Sequence, residues 1–164
     1  MSRIYAGINQ QIFDFTDRFY SDLIELLNER PESFAMLEFV GNGPKYRQVD
    51  CIIVSPGGID LIEIKNKKNP VIGTSDGCWY VQDRYRRYAI FNKKDGKEEN
   101  PYHQAKNTSD DLAIGIDQKL RGMPRPASVY PCVLIPEAHP NCQIDRHHNV
   151  NLSLGTKNLT ETFR

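Results

Sequence analysis

The chain has 164 residues, 39% of them hydrophobic, and its 21 basic and 21 acidic residues balance to a formal net charge of zero. This length suits one hydrophobic core and is too short for two domains of ordinary size. No apolar stretch has membrane-spanning length and no basic-then-apolar leader follows Met1, so we expect a cytoplasmic protein without a membrane segment.

The first part of the chain predicts a helix followed by a strand. Apolar residues in the segment 8–27 recur at helical spacing, which is typical of an amphipathic helix packed on a sheet. Residues 33–40 then predict the first strand of that sheet. Glu38 lies inside this strand, where it would either approach a metal or face water.

A β-hairpin is predicted next. Residues 49–54 and 59–65 are nearly continuous apolar runs, which is typical of strands buried on both faces, and the Ser-Pro-Gly-Gly segment between them predicts a four-residue turn. This even loop length favours a register in which Val54 opposes Ile59. Charged side chains inside such strands are costly unless they are paired or bound to a metal.

Three charged residues lie at the far end of this hairpin. The register makes Asp50 and Glu63 direct cross-strand neighbours, with Cβ atoms about 4.5 to 5.5 Å apart, and puts Lys65 on their face at about 6.6 Å along the strand. Two close carboxylates provide the hard oxygen ligands that Mg²⁺ prefers, and a neighbouring ammonium suits phosphodiester chemistry. The alternative is an ordinary ion pair of Asp50 with Lys65 on a solvated face, with Glu63 exposed.

The segment 65–97 is basic although the whole chain is neutral. It contains nine basic and three acidic residues, and the candidates for phosphate contacts are Lys67, Lys68, Arg84, Arg86 and Arg87. Aromatic residues are interleaved with these charges, namely Tyr80, Tyr85, Tyr88 and Phe91. This mixture suits base stacking on single strands or frayed ends. For the tyrosines, packing into the core is the favoured alternative, whereas for the arginines we favour phosphate contact.

The second half predicts another helix and another strand. Asn100 and Pro101 form a good helix start, because asparagine caps exposed amides and proline is tolerated in the first turn. The positive end of this helix would seat a phosphate, and Gln104 in its first turn would contact substrate or be simply exposed. Residues 129–135 predict a buried strand, in which Pro131 indicates an edge position or a bulge.

Histidine and cysteine residues are concentrated in the segment 136–149. Their spacing matches no recurrent zinc pattern, so a polar surface loop is the better interpretation: they are His139, Cys142, His147 and His148. The four cysteines of the chain are far apart, which predicts free thiols rather than disulfides. Cys51 and Cys132 lie in apolar runs, where thiols behave as small hydrophobic groups.

The run RQVDCIIVSPGGIDLIEIKN at residues 47–66 resembles the core of the nuclease-related domain (NERD) family, a branch of the PD-(D/E)XK nuclease superfamily. Further matching features are Gly73, Trp79, the Asn100-Pro101 pair and Gln104, and the resemblance extends from the first helix to the strand near Cys132. It implies an α/β fold with a restriction-endonuclease-like three-layer core, in which a mixed sheet carries a catalytic β-hairpin flanked by helices. Val49 stands where the superfamily label has proline, a position that contributes no ligand.

The resemblance also implies roles for individual residues. Asp50 and Glu63 would bind Mg²⁺ or Mn²⁺, the backbone carbonyl of Ile64 would be a further ligand, and Lys65 would be the catalytic lysine. Gln104 would be an additional site residue. The first-helix acid of many relatives would correspond to one of three residues that a solvated helix face explains equally well: Asp17, Asp22 and Glu25.

The sequence therefore predicts a nuclease domain over residues 1–155 and a polar tail over residues 156–164, which would join a further domain such as a helicase or kinase-like region. The predicted function is metal-dependent hydrolysis of nucleic acid, with DNA favoured. One alternative is a catalytically inactive module that binds nucleic acid within a larger DNA-processing protein. Another is a structural domain with a surface ion pair. The oligomeric state stays open.

Overall fold

The computed structural model describes residues 3–6, 17–40, 48–90, 98, 100–120, 128–156 and 159. These residues form a mixed α/β fold with two helices and two β-sheets. The helices are α1 (Asp17–Glu29) and α2 (Pro101–Lys119). The strands are β1 (Arg3–Ala6), β2 (Phe34–Val40), β3 (Gln48–Ser55), β4 (Gly58–Ile64), β5 (Val71–Gly73), β6 (Tyr80–Gln82), β7 (Arg87–Ala89), β8 (Val129–Ile135), β9 (Gln143–Ile144) and β10 (Asn151–Leu154).

The larger sheet has six strands in the order β1-β2-β3-β4-β8-β10. Strands β2, β3 and β4 are antiparallel neighbours, whereas β1 is parallel to β2, and β8 is parallel to both β4 and β10. A parallel pair needs a long crossover connection, and α2 lies in the connection between β4 and β8. The smaller sheet has the order β7-β6-β5-β9.

The two helices pack on opposite faces of the larger sheet. Leu23 of α1 belongs to a buried cluster that includes Ile53 of β3. Leu112 of α2 packs instead against a cluster that includes Ile52 of the same strand. Because successive strand residues point to opposite faces, α1 and α2 cover different sides of the sheet. Neither helix in the described part of the chain is long and apolar enough to cross a membrane.

The smaller sheet is attached to α2 through an aromatic contact. Trp79, which precedes β6, meets Tyr102 of α2 edge to face, with ring centroids 4.8 Å apart, and both side chains are buried. Gly73 lies directly against the indole, because a Cβ there would come within 2.6 Å of the Trp79 ring. The close approach of backbone and ring therefore requires glycine at this position.

The predicted hairpin register is confirmed. Val54 pairs with Ile59, and the ladder continues to a pair between Ser55 and Gly58, so the turn contains two residues rather than the predicted four. Gly58 has φ +142°, a backbone conformation that residues other than glycine rarely adopt. The tight turn thus depends on this glycine.

Both predicted helices are present. The first extends to Glu29 at its C-terminal end, while its predicted start at Ile8 lies outside the described residues. The second begins at Pro101 with Asn100 as its N-cap, as predicted. Its first turn is well defined because the Asn100 side chain accepts hydrogen bonds from two of the first backbone amides.

Strand β8 has the predicted bounds, but the edge position inferred from Pro131 is wrong. β8 lies inside the larger sheet, between β4 and β10. Pairing with β10 begins only at Cys132. Pro131 has no amide hydrogen to donate, and on the β10 side it lies before the first paired residue, so no hydrogen bond is lost there. An interior strand can therefore hold a proline at its start.

The segment 136–149 is more structured than predicted, because it contains β9, which pairs with β5. The Cys142 sulfur accepts a hydrogen bond from the Val71 amide at 3.3 Å. Cys51 and Cys132 are buried free thiols, as predicted, and burial raises the pKa of both. Two residues of the predicted polar tail are buried, Thr156 and Leu159, and Leu159 joins the α1-side core.

Candidate active site

Asp50 lies on β3, next to the end of its ladder with β4. The last pair of this ladder in the described residues is Cys51 with Ile62. Beyond it, the Ile64 amide donates a hydrogen bond to Asp50 Oδ2 at 2.7 Å. A backbone amide at the end of a ladder needs an acceptor, and here the carboxylate supplies one. This bond fixes the Asp50 carboxylate against β4.

Lys65 follows β4 directly and is held between two partners. Its ammonium lies 2.9 Å from Glu63 Oε1 and 2.9 Å from Gln104 Oε1. The Lys65 and Glu63 side chains are only 12% and 5% exposed. Because a buried ammonium is costly without hydrogen-bonding partners, this pair of acceptors stabilises the lysine in one position.

These side chains share the α2 face of the larger sheet. Asp50 lies two residues before Ile52, and Glu63 two residues after Leu61, so each points to the same side as its neighbour. Ile52 pairs with Leu61, and both pack with Leu112 of α2. This geometry explains how a side chain from α2 reaches the end of the hairpin.

The structure brings together the charged residues that the sequence singled out. Asp50 and Glu63 were expected to be cross-strand neighbours, and the adjacent pair of Cys51 with Ile62 has the register that this requires. Their hydrogen bonds go to other groups, because Asp50 accepts the Ile64 amide and Glu63 binds Lys65. The alternative of an exposed Glu63 on a solvated face is wrong, because Glu63 is buried. Gln104 is likewise engaged by Lys65 and is not simply exposed.

Glu38 is a third acidic residue beside the site. The β2–β3 pairs on either side of it place it opposite Asp50. It is only 8% exposed, so the interpretation that it faces water is wrong, and its buried Oε1 atom has no hydrogen-bond partner among the residues that the structure describes. Burial, followed by repulsion from the Asp50 carboxylate, raises the pKa of Glu38 above its ordinary value.

The backbone of Glu38 is unusual as well. Its φ of +54° lies in the left-handed region, which residues other than glycine rarely adopt, and it interrupts an otherwise regular strand. Such strained residues are often found at functional sites. The sequence signal for Glu38 is a single acid within the apolar run of β2, which also fits a solvated position.

The N-terminus of α2 is largely occupied by its own cap. Asn100 Oδ1 accepts hydrogen bonds from the amides of Tyr102 at 2.8 Å and His103 at 3.4 Å. Its Nδ2 group donates to the carbonyls of Ser75 at 3.0 Å and Gly77 at 2.8 Å. These bonds fix the first turn and thereby orient Gln104, but they leave fewer amides for the phosphate that the sequence suggested.

The predicted phosphate-binding residues lie on the surface beyond the hairpin. Lys68 is exposed and lies 3.5 Å from Glu137, while Lys67 is partly buried. The three arginines are exposed in the β6–β7 hairpin: Arg84, Arg86 and Arg87. The interleaved Tyr85 is exposed too, which contradicts the interpretation of a core residue, and Phe91 lies outside the described residues.

The donor chemistry of the site fits a divalent cation. Asp50, Glu63 and Glu38 carry hard carboxylate oxygens. The buried Glu38 Oε1 atom has no partner in the described ranges, and such an oxygen is costly unless a positive charge approaches it. In the described part of the chain, no three His, Cys, Asp or Glu side chains already form a metal cage. A bound cation would therefore share the carboxylates with the Ile64 amide and the Lys65 ammonium.

Comparisons with known proteins identify relatives. The sequence profile of the family described as "Nuclease-related domain", NERD, matches residues 17–136. An uncharacterised protein of Bacillus anthracis is 24% identical over 119 residues, which cover 71% of this chain and 48% of that protein. The match thus spans about half the length of this curated relative. No solved structure gives a significant match.

Proposed function

Because the chain belongs to the nuclease-related domain family, we propose that it is a metal-dependent nuclease that hydrolyses phosphodiester bonds in nucleic acid, with DNA as the favoured substrate. The observation that supports this most strongly is the position of the Lys65 ammonium, 2.9 Å from both Glu63 and Gln104. The Asp50 carboxylate is fixed by the amide of Ile64, the residue that precedes Lys65. Carboxylates and a fixed ammonium at one end of a hairpin are suited to charge stabilisation during phosphodiester hydrolysis.

Each side chain has a role in this proposal. Asp50 and Glu63, with the Ile64 carbonyl, would hold Mg²⁺ or Mn²⁺, and the bound cation would polarise the phosphate and lower the pKa of the attacking water. Lys65 neutralises charge that develops on the phosphate oxygens and orients the water. In this proposal Gln104 acts by holding the Lys65 ammonium in place, so it is a positioning residue.

We also propose a restriction-endonuclease-like three-layer core for this chain. The support is the packing of α1 and α2 on opposite faces of the larger sheet, with the hairpin β3–β4 in its middle. The division into residues 1–155 and 156–164 and a fused helicase or kinase-like region stay predictions, as does a cytoplasmic location.

A second candidate function is a binding module that holds nucleic acid without cleaving it. The observation that favours it is the ion pair of Lys65 with Glu63 Oε1, since it occupies one of the two oxygens of a carboxylate that a catalytic metal would need. The exposed arginines at the β6–β7 turn would serve such a module equally well.

Cleavage assays with matched variants distinguish these functions. The protein is incubated with linear and circular DNA, with Mg²⁺, Mn²⁺ or EDTA, beside Glu63→Gln and Lys65→Ala. Glu29→Gln is the control, because Glu29 is an exposed acid at the end of α1, which packs on the sheet face opposite the site. We expect metal-dependent cleavage that falls about 10²- to 10³-fold in the two site variants and is unchanged in the control.

DNA binding is measured on the same samples. Binding without metal-dependent cleavage would support the module that only binds nucleic acid. Neither binding nor cleavage would contradict both proposals and would favour a structural role for the Glu63–Lys65 pair.

A further inference from the structure

The turn between β6 and β7 presents an aromatic ring between two arginines. The Asp83 amide donates to the Arg86 carbonyl at 2.8 Å, which closes a two-residue turn made of Arg84 and Tyr85. The Tyr85 side chain is 90% exposed, the highest value among the exposed large hydrophobic residues of the described chain. The apex of this hairpin is therefore an aromatic side chain flanked by positive charge.

The turn is held in shape by its own hydrogen bonds. Asp83 Oδ1 accepts the Arg84 amide at 2.6 Å, and the Gln82 side chain donates to the Asp83 carbonyl at 3.2 Å. β6 and β7 pair through three residues on each side of the turn. An exposed ring on a preorganised turn loses less conformational freedom when it stacks on a ligand than a ring on a mobile loop.

The hairpin is joined to the segment that leaves the candidate active site. The Gln82 amide donates to the Pro70 carbonyl at 2.8 Å, so the β6 end of the turn lies beside the residues that follow Lys65. This connecting segment carries Lys67 and Lys68. Basic residues thus lie between the catalytic hairpin and the arginines of the turn. Their positive charge would attract the negatively charged phosphates of a nucleic-acid strand.

The three arginines of the hairpin are not equivalent. The Arg87 guanidinium lies over the ring of Tyr80, 5.7 Å from its centroid, and this contact stabilises the hairpin itself. Arg84 and Arg86 lie next to Tyr85 in sequence and are exposed. They are therefore the two residues best placed to contact the phosphates on either side of a base stacked on Tyr85.

From these observations we propose that the β6–β7 turn binds single-stranded DNA, with Tyr85 stacking on a base while Arg84 and Arg86 contact the adjacent phosphates. This inference rests on the proposed action on nucleic acid and assigns the site that holds an unpaired strand. The bases of a duplex are already stacked on each other, so a duplex offers phosphates to this turn but no accessible base face.

The test measures binding separately from cleavage. Fluorescence anisotropy in EDTA is recorded for the complete chain with a labelled oligothymidine and with a labelled blunt duplex. Tyr85→Ala is expected to weaken oligothymidine binding roughly 5- to 100-fold and to leave duplex binding within about twofold. Tyr85→Phe keeps the ring and should bind like the unmodified protein. Tyr5→Ala removes another exposed ring, on β1, and is the matched control.

Several outcomes would overturn the inference. These are equal loss of single-strand and duplex binding in Tyr85→Ala, loss in Tyr85→Phe as large as in Tyr85→Ala, or no oligothymidine binding by the unmodified chain. Metal-dependent cleavage is assayed in parallel, with Glu63→Gln as the variant expected to lose cleavage. A selective loss in Tyr85→Ala without any cleavage by the unmodified chain would contradict the nuclease and leave the single-strand site supported.

Discussion

At the level of single residues, the site depends on how a nearly buried ammonium is satisfied. Lys65 is 12% exposed, and its acceptors in the described part of the chain include the charged Glu63 and the neutral Gln104. Glu63 compensates the positive charge of Lys65. Gln104 lies on a different element, α2, so its hydrogen bond orients the ammonium towards that helix. A buried donor that loses an acceptor is left poorly solvated, which links the position of Lys65 to the stability of the domain.

Replacing Gln104 tests this link. Gln104→Met has a similar length but no acceptor for Lys65, so we expect the free energy of unfolding to fall by about 1 to 3 kcal/mol. We also expect DNA cleavage to slow by about tenfold, because the ammonium loses the partner that orients it. Gln118→Met is the control, since Gln118 is exposed near the end of the same helix and should change stability by less than about 0.5 kcal/mol.

Urea denaturation and initial rates of cleavage provide the two readouts. Equal effects of Gln104→Met and Gln118→Met on both quantities would show that the contact with Lys65 contributes nothing to stability or activity.

Glu38 illustrates what single-residue reasoning from the sequence misses. Its acidic side chain in an apolar strand is visible in the sequence, but its burial depends on packing against neighbouring elements such as β3. Its φ of +54° depends on the sheet in the same way. A residue of this kind can be noticed in advance, whereas its conformation follows from packing that no local pattern encodes.

At the level of elements, the start of α2 connects the two sheets. Asn100 accepts two amides of the helix and donates to carbonyls of the β5–β6 connection, among them Ser75 and Gly77. One side chain therefore caps the helix and fixes its position against the smaller sheet. Gln104 lies in the first turn after this cap, so its reach to Lys65 depends on Asn100.

A pair of substitutions separates the two roles of Asn100. Asn100→Ser keeps an oxygen that caps the helix but cannot reach the loop carbonyls, and we expect a loss of about 1 kcal/mol in unfolding free energy. Asn100→Ala removes both contacts and should cost about 2 kcal/mol. Urea denaturation measures both values. Equal stability of the serine and alanine variants would mean that the cap contributes nothing, and an unchanged serine variant would mean the same for the loop contacts.

The four central strands of the larger sheet, β2, β3, β4 and β8, could be predicted from the sequence because they are long and apolar, whereas the two outer strands, β1 and β10, have only four residues each and were not predicted. The register of β3 and β4 followed from the even turn between two apolar runs, and β8 has the predicted bounds. Asn100 and Pro101 identified the start of α2, because capping is a local property.

The smaller sheet could not be predicted as a sheet. Its strands contain only two or three residues, which is too short for a period to be visible. Its position depends on distant contacts, such as the Trp79–Tyr102 pair and the pairing of β9 with β5. The exposure of Tyr85 follows from this architecture, because the ring lies at a turn and not on a packed strand face.

At the level of the whole molecule, α2 holds both sheets through one buried tyrosine. Tyr102 contacts Trp79 of the smaller-sheet segment and shares a core cluster with Val133 of β8 in the larger sheet. Its hydroxyl donates to the Asp145 carbonyl at 2.7 Å, just after β9. Ionisation of this hydroxyl would remove the donor and bury a charge, so its protonation state is coupled to global folding.

The pH dependence of stability tests this coupling. Burial, then the charge of Asp145 and the Cys132 thiol, raise the pKa of Tyr102 from 10.0 to about 12. Above pH 10 the unfolded chain loses the tyrosine proton while the folded protein keeps it until about pH 12. The unfolded state thus binds fewer protons in this window, and the free energy of unfolding must fall as the pH rises, by about 2 to 3 kcal/mol from this group.

Tyr102→Phe isolates this contribution. The variant lacks the bond to Asp145 and should be less stable by about 1 kcal/mol near pH 8, but it cannot ionise and should lose less stability between about pH 10 and 12. Urea denaturation at several pH values gives the two curves, and the titration of lysines and exposed tyrosines is common to both. The advantage of the unmodified protein should therefore disappear and then reverse before about pH 12, because its loss of about 2 to 3 kcal/mol exceeds the initial difference of about 1 kcal/mol. Parallel curves would contradict a raised pKa for Tyr102 and would show that the alkaline loss of stability arises elsewhere in the molecule.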